Sequence, residues 1–157
     1  MEIDIERQER MLAPVELVWD EIDTLEKLLA KSPQTFNYDV VPGGQRATAK
    51  ANLAWGPIKW TLDIEASIED FRPLQHLVYA IEAPSLELRF EATIDLVVVG
   101  DAETRLDYRA KLDLRHRLAS RMRGMFNEIA EEHAHGLVSR VKVKSEQRRL
   151  AQERLLS

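Results

Sequence analysis

Between Ala47 and Ala66 apolar and polar residues alternate, and the alternation runs up to and away from the dipeptide Gly56-Pro57. A chemistry that repeats every two residues belongs on a strand with one buried and one wetted face. Glycine followed by proline suits a two-residue type II′ turn, because glycine takes the positive φ and proline the second position without losing a needed donor. The two arms therefore predict a hairpin in which Trp55 faces Ile58, Leu53 faces Trp60, Ala51 faces Leu62, Ala49 faces Ile64 and Ala47 faces Ala66. On the opposite face Asn52 meets Thr61, Lys50 meets Asp63 and Thr48 meets Glu65. A slip of one residue would carry charge into the core, so the register is firmly specified.

The same period governs most of the chain. Leu86, Leu88, Phe90, Ala92, Ile94, Leu96 and Val98 alternate with polar residues, as do Leu106, Tyr108, Ala110, Leu112 and Leu114 beyond Gly100-Asp101. Shorter strands are expected around Leu77, Tyr79 and Ile81, around Phe36, Tyr38 and Val40, and at Ile3 and Ile5, about seven in all. Two short helices interrupt the series, one over Ala13–Trp19 with Pro14 in its first turn and one over Thr24–Leu29 ahead of Ser32-Pro33. From Leu118 the period becomes 3.6, with Leu118, Met122, Met125/Phe126, Ile129, His133, Leu137 and Val141 on one stripe. The expected fold class is α+β: a curved antiparallel sheet wrapped around a long C-terminal helix, with two short helices between strands 1 and 2. Residues 1–144 form one domain, and 145–157 a helical extension or frayed tail.

The inner face of this sheet is unusually small-residued. Ala47, Ala49 and Ala51 stand where a tight core would use Val, Ile or Leu. Small residues there either admit a bulky neighbour or leave room for a guest. The residues facing such a room are Ala47, Ala49, Ala51, Trp55, Trp60, Leu62, Tyr79, Phe90 and Tyr108 from the sheet, with Met122, Phe126, Ile129 and His133 from the helix. Arg7 and Glu9 share strand parity with Ile3 and Ile5, so they either pair inside as a polar handle or are turned outward by a bulge.

Several chemistries are excluded. The chain has no cysteine, hence no disulfide and no thiolate nucleophile or ligand. His133 and His135 point about 200° apart on a helix and lack the i,i+4 spacing of the helical zinc motif, so no metal is expected. There is no nucleophile constellation, and Pro42-Gly43-Gly44 reads as a hairpin turn and not a phosphate loop, so no cofactor is called for. The start M-E-I-D-I-E-R is unlike a secretory leader, and a cytoplasmic monomer or homodimer is the expectation.

Charge is segregated. Residues 1–114 carry 12 basic and 22 acidic side chains for a net −10, while 115–157 carry 10 and 5 for +5. Arg115, Arg117, Arg121 and Arg123 crowd the start of the terminal helix, where positive charge opposes the helix dipole. Either they are a solvated face or they meet an anionic membrane or a protein partner; the acidic body and lack of interleaved aromatics disfavour nucleic acid.

The order of elements resembles the START-like (SRPBCC) superfamily, the helix-grip fold, over roughly residues 2–142. Ala13-Pro14-Val15-Glu16-Leu17-Val18-Trp19-Asp20 matches its opening pattern. Gly56-Pro57-Ile58-Lys59 and Glu103-Thr104-Arg105-Leu106-Asp107-Tyr108 are similar to the branch of carbon monoxide dehydrogenase accessory proteins and polyketide cyclase-like proteins. Lys31-Ser32-Pro33-Gln34 stands where that branch usually has a Cys/Pro-Gly segment. The resemblance implies binding or carriage of a hydrophobic or amphipathic small molecule, such as a lipid, polyketide or isoprenoid, between sheet and helix. Alternatively it implies a cyclase or dehydratase, with no catalytic group but His133 and Tyr79 or Tyr108 as acid/base partners. A third reading is an assembly or membrane-surface protein.

Overall fold

A computed structural model describes residues 1–29, 35–40, 44–55, 57–117 and 119–156, with the side chains at 35–40, 51, 53–55, 58 and 60 outside the description. Strand β1 (Glu2–Met11) leads into helices α1 (Val15–Trp19) and α2 (Leu25–Leu29). Then come β2 (Thr35–Val40), β3 (Arg46–Trp55), β4 (Ile58–Arg72), β5 (His76–Ala83), β6 (Leu88–Gly100) and β7 (Glu103–Leu114). Helix α3 (Ala119–Leu156) closes the chain. Six strands, β1 and β3 to β7, make the body of one antiparallel sheet, and the short β2 is its seventh, at one edge, in the order β1-β7-β6-β5-β4-β3-β2.

The β3–β4 register is the one the alternation dictates, from Trp55 opposite Ile58 to Ala47 opposite Ala66. Each strand of the meander meets its sequence neighbour, but β1 crosses to the far edge and pairs with β7, Glu2 opposite Asp113 through Met11 opposite Thr104. Register shifts between Ile68 and Asp70 and between Val98 and Gly100 bend the long strands. The outer face is wet and carries ion pairs, among them Arg89 fanned over Glu69, Glu82 and Glu91.

The inner face and the buried stripe of α3 share one apolar core. Ile3, Ile5, Leu77, Ile94, Leu106, Leu112 and Leu114 from the sheet meet Met122, Met125, Phe126, Ala130, Ala134, Leu137, Val138 and Val141 from the helix. Helix α1 adds Leu17, Val18 and Trp19, and Trp19 stacks edge-on against Phe71 at 5.2 Å. At the corner between β1 and α1 the buried Thr104 hydroxyl donates to the Ala13 carbonyl at 2.9 Å. The predicted stripe on α3 is correct in phase. Its member Leu118 lies outside the described residues, and Ile129 and His133 are half-buried where the sheet side thins.

Helix α3 has 38 residues, about 57 Å of rod at 1.5 Å per residue. Polar ties fix its second half to β1, α1 and α2. Glu131 pairs with Arg7, and Lys142 donates to the Arg10 carbonyl at 2.7 Å while lying 3.5 Å from Glu9. Glu146 accepts the Leu12 amide at 2.9 Å. Arg148 meets Asp20 at 2.6 Å, and Arg140 donates to the Lys27 carbonyl in the last turn of α2. Among the described residues, no helix is long and apolar enough to cross a membrane.

Candidate functional site

Polar groups inside this apolar interface are few, and three of them converge. Tyr79 on β5 and Tyr108 on β7 are separated by β6, where the residue opposite Tyr79 is Ala92, itself opposite Ala110. Those two alanines leave the width of a phenol between the strands. The hydroxyls of Tyr79 and Tyr108 lie 3.1 Å apart, and Tyr79 Oη is 2.8 Å from His133 Nε2 on α3. Phe90 on β6 closes the group, its ring edge-to-face with His133 at 5.6 Å and tilted against Tyr79 at 6.3 Å. Both tyrosines are fully buried.

Burial fixes the protonation states. The Tyr79 hydroxyl is held well above the usual phenol range by loss of water, reinforced by its tyrosine neighbour. Tyr108 is raised by burial too. His133 is pushed down to about 4, chiefly by burial and then by the positive charge of Arg140. At neutral pH the cluster is therefore two phenols and a neutral imidazole. With the imidazole proton on Nδ1, Nε2 accepts from Tyr79, whose oxygen accepts from Tyr108. Such a chain can orient a ligand oxygen or relay a proton without burying net charge.

Arg140 is a member of this neighbourhood that the sequence pattern did not single out. It follows His133 by seven residues, two turns along the same face of α3, and burial lowers its basicity. That spacing was the available signal.

The other expected site residues fall into distinct sets. Ala47 and Ala49 are buried on the inner face and Leu62 is half-buried, while the side chains of Ala51, Trp55 and Trp60 lie outside the described residues. Met122 and Phe126 are buried beneath α3, with Ile129 half-buried beside them. Arg7 and Glu9 require a correction. The β1–β7 ladder runs without a bulge, yet they do not pair with each other. Each reaches across to α3 instead, Arg7 to Glu131 and Glu9 toward Lys142, because a charge with inner parity on an edge strand is satisfied most cheaply by the helix lying over it. Arg115 pairs with Asp113 at 3.2 Å, whereas Arg117, Arg121 and Arg123 are exposed. Among the described residues no group of three or more metal-ligating side chains comes together. Two surface depressions of about 470 and 460 Å³ lie on the outer face, edged by charged residues such as Glu6, Asp95 and Arg109 in one and Arg46, Glu65 and Glu82 in the other. Neither suits an apolar guest.

No protein-family model and no curated protein sequence matches this chain. Solved structures do. A START superfamily protein from Mycobacterium smegmatis superposes with a TM-score of 0.64 at 10% identity, covering 92% of this chain and 97% of the other. The ZhuI aromatase/cyclase from Streptomyces sp. R1128 gives 0.70 at 13% identity, over 94% and 96%. The chain has the START-like, helix-grip fold. A conserved protein from Geobacillus kaustophilus shares it with a TM-score of 0.74 at 16% identity, over 92% and 96%. In the helix-grip fold, as here, the sheet curves around its terminal helix, and Tyr79, Tyr108 and His133 occupy the layer between them.

Proposed function

We propose that the protein binds a hydrophobic or amphipathic small molecule between the sheet and α3, with the Tyr79–Tyr108–His133 cluster as its polar anchor. The observation that carries this reading is the cluster itself: three hydrogen-bonding side chains converging within an apolar layer lined on the sheet side by Ala47, Ala49, Ala92 and Ala110. Apolar surface removed from water supplies affinity at roughly 25 cal/mol per Å², and a few polar groups fix orientation. The helix-grip likeness supports a small-molecule site of this kind. The test is Ala49→Phe, which should weaken binding of an apolar fluorescent probe about tenfold or more while the protein stays folded. Unchanged probe binding, or unfolding by overpacking, would assign the alanines to a filled core.

A second reading, a cyclase-type enzyme in the same layer, is favoured by one feature: the neutral His133 imidazole stands 2.8 Å from a phenol. A base poised in this way can accept a proton that the phenol passes on. The fold shared with ZhuI supports considering an aromatic polyketide-like substrate. His133→Gln separates the readings. Loss of turnover with retained probe binding marks the enzyme, and no turnover by either form with modestly changed affinity marks the carrier.

A further inference from the structure

The arginines at the start of α3 differ from the others in this protein. Among the described residues, Arg7, Arg10, Arg72, Arg89, Arg105, Arg109, Arg115, Arg148 and Arg149 each make an ion pair. Arg117, Arg121 and Arg123 make none, and all three are exposed. The first turn of the helix contains no acidic residue to offset them. Each of these charges therefore opposes the dipole of its own helix without a carboxylate in compensation. Neither helix stability nor intramolecular pairing accounts for them.

Their place in the fold is equally specific. Strands β3, β5 and β7 end, and β1, β4 and β6 begin, at the end of the sheet where α3 starts. The helix then runs away from this end toward the ties at Leu12 and Asp20. The arginines thus form a cationic cap on one end of the sheet–helix layer, while the residues up to 114 carry a net −10. A long polyanion such as nucleic acid would lie along the acidic body as well as the cap, whereas a flat anionic surface can meet the cap alone.

We infer that this end of the molecule docks on an anionic membrane surface through Arg117, Arg121 and Arg123. A bilayer is also where a sparingly water-soluble guest resides, so the inference extends the proposed function. Docking nevertheless stands on the charges alone, and its test is independent of any guest. Each arginine near an anionic leaflet contributes a similar increment, and three together are worth on the order of a hundredfold in partitioning. The attraction fades as the screening length falls below about 8 Å, above roughly 0.15 M salt.

The experiment is co-sedimentation of the full chain with vesicles of phosphatidylglycerol and phosphatidylcholine in equal parts, against phosphatidylcholine alone, at low and high salt. The wild type should sediment with the anionic vesicles at low salt only. The triple variant Arg117→Gln, Arg121→Gln, Arg123→Gln should lose about a hundredfold. Arg46→Gln, which removes an exposed arginine at the opposite end, also without an ion pair, should behave as wild type. Salt-independent binding, no binding by the wild type, equal losses in both variants, or tighter binding to a DNA duplex than to the vesicles would each overturn the assignment. Binding of the apolar probe in the absence of vesicles reports the interior separately. A triple variant that retains probe binding but not vesicles isolates docking, and the converse isolates the cavity.

Discussion

The two halves of α3 are built on opposite plans. From Glu131 to Arg148 the helix is held twice over, by buried Ala134, Leu137, Val138 and Val141 and by polar ties to β1, α1 and α2. From Ala119 to Ala130 it carries Met122, Met125 and Phe126 inward but arginines without ion partners outward. One half behaves as a foundation and the other as a wall. The difference teaches that a single helix can divide stability and recognition along its length, with His133 at the junction.

The sharpest way to break that comparison is a pair of truncations. Leu137→Ala should cost about 3 kcal/mol, the usual penalty for a cavity in a closed core. Met122→Ala should cost about 1 kcal/mol, because its surroundings have room to relax. Equal losses in chemical denaturation would mean that both halves are core. A smaller effect lies at the junction. His133 titrates near 6.5 when unfolded and near 4 when folded, so its contribution is complete above pH 6.5 and lost as pH falls toward 4. Wild-type stability should therefore fall between pH 6.5 and 4 by about 2 kcal/mol more than that of His133→Gln, measured as Tm or denaturation midpoint against pH. Parallel pH profiles would place the ring in water. The smallest effect is at the foundation's rim, where Glu146→Ala removes the acceptor of the Leu12 amide. It should cost about 1 kcal/mol in the same assay, against no loss for Arg121→Gln.

Legibility from sequence followed the range of the interaction. The β3–β4 register could be written residue by residue, because a two-residue turn and strict alternation leave one solution. Tyr79, Tyr108 and His133 could each be assigned to the inner layer by period alone. That they touch depends on Ala92 and Ala110 being opposite one another across two ladders, which no local pattern encodes. Arg7 shows the limit most clearly. Its inner parity was evident, but its partner Glu131 lies 124 residues away, and only the docked helix discloses it. The ties of Lys142, Glu146 and Arg148 were unreadable for the same reason, since exposed charges on a helix have no sequence signature for the loop they will meet.

The pairing of β1 with β7 has a consequence for how the chain reaches this state. Strands β3 to β7 form by successive hairpins, whereas Glu2 must find Asp113 across more than a hundred residues. Closing so long a loop costs entropy before any ladder bond repays it, and folds dominated by such contacts assemble in milliseconds to seconds. Until β1 arrives, β7 is a bare edge with unpaired amides and carbonyls, and α3 lacks the strand that carries its partners Arg7, Glu9 and Arg10. The interval before β1 docks is when one chain can lend its N-terminal strand to another.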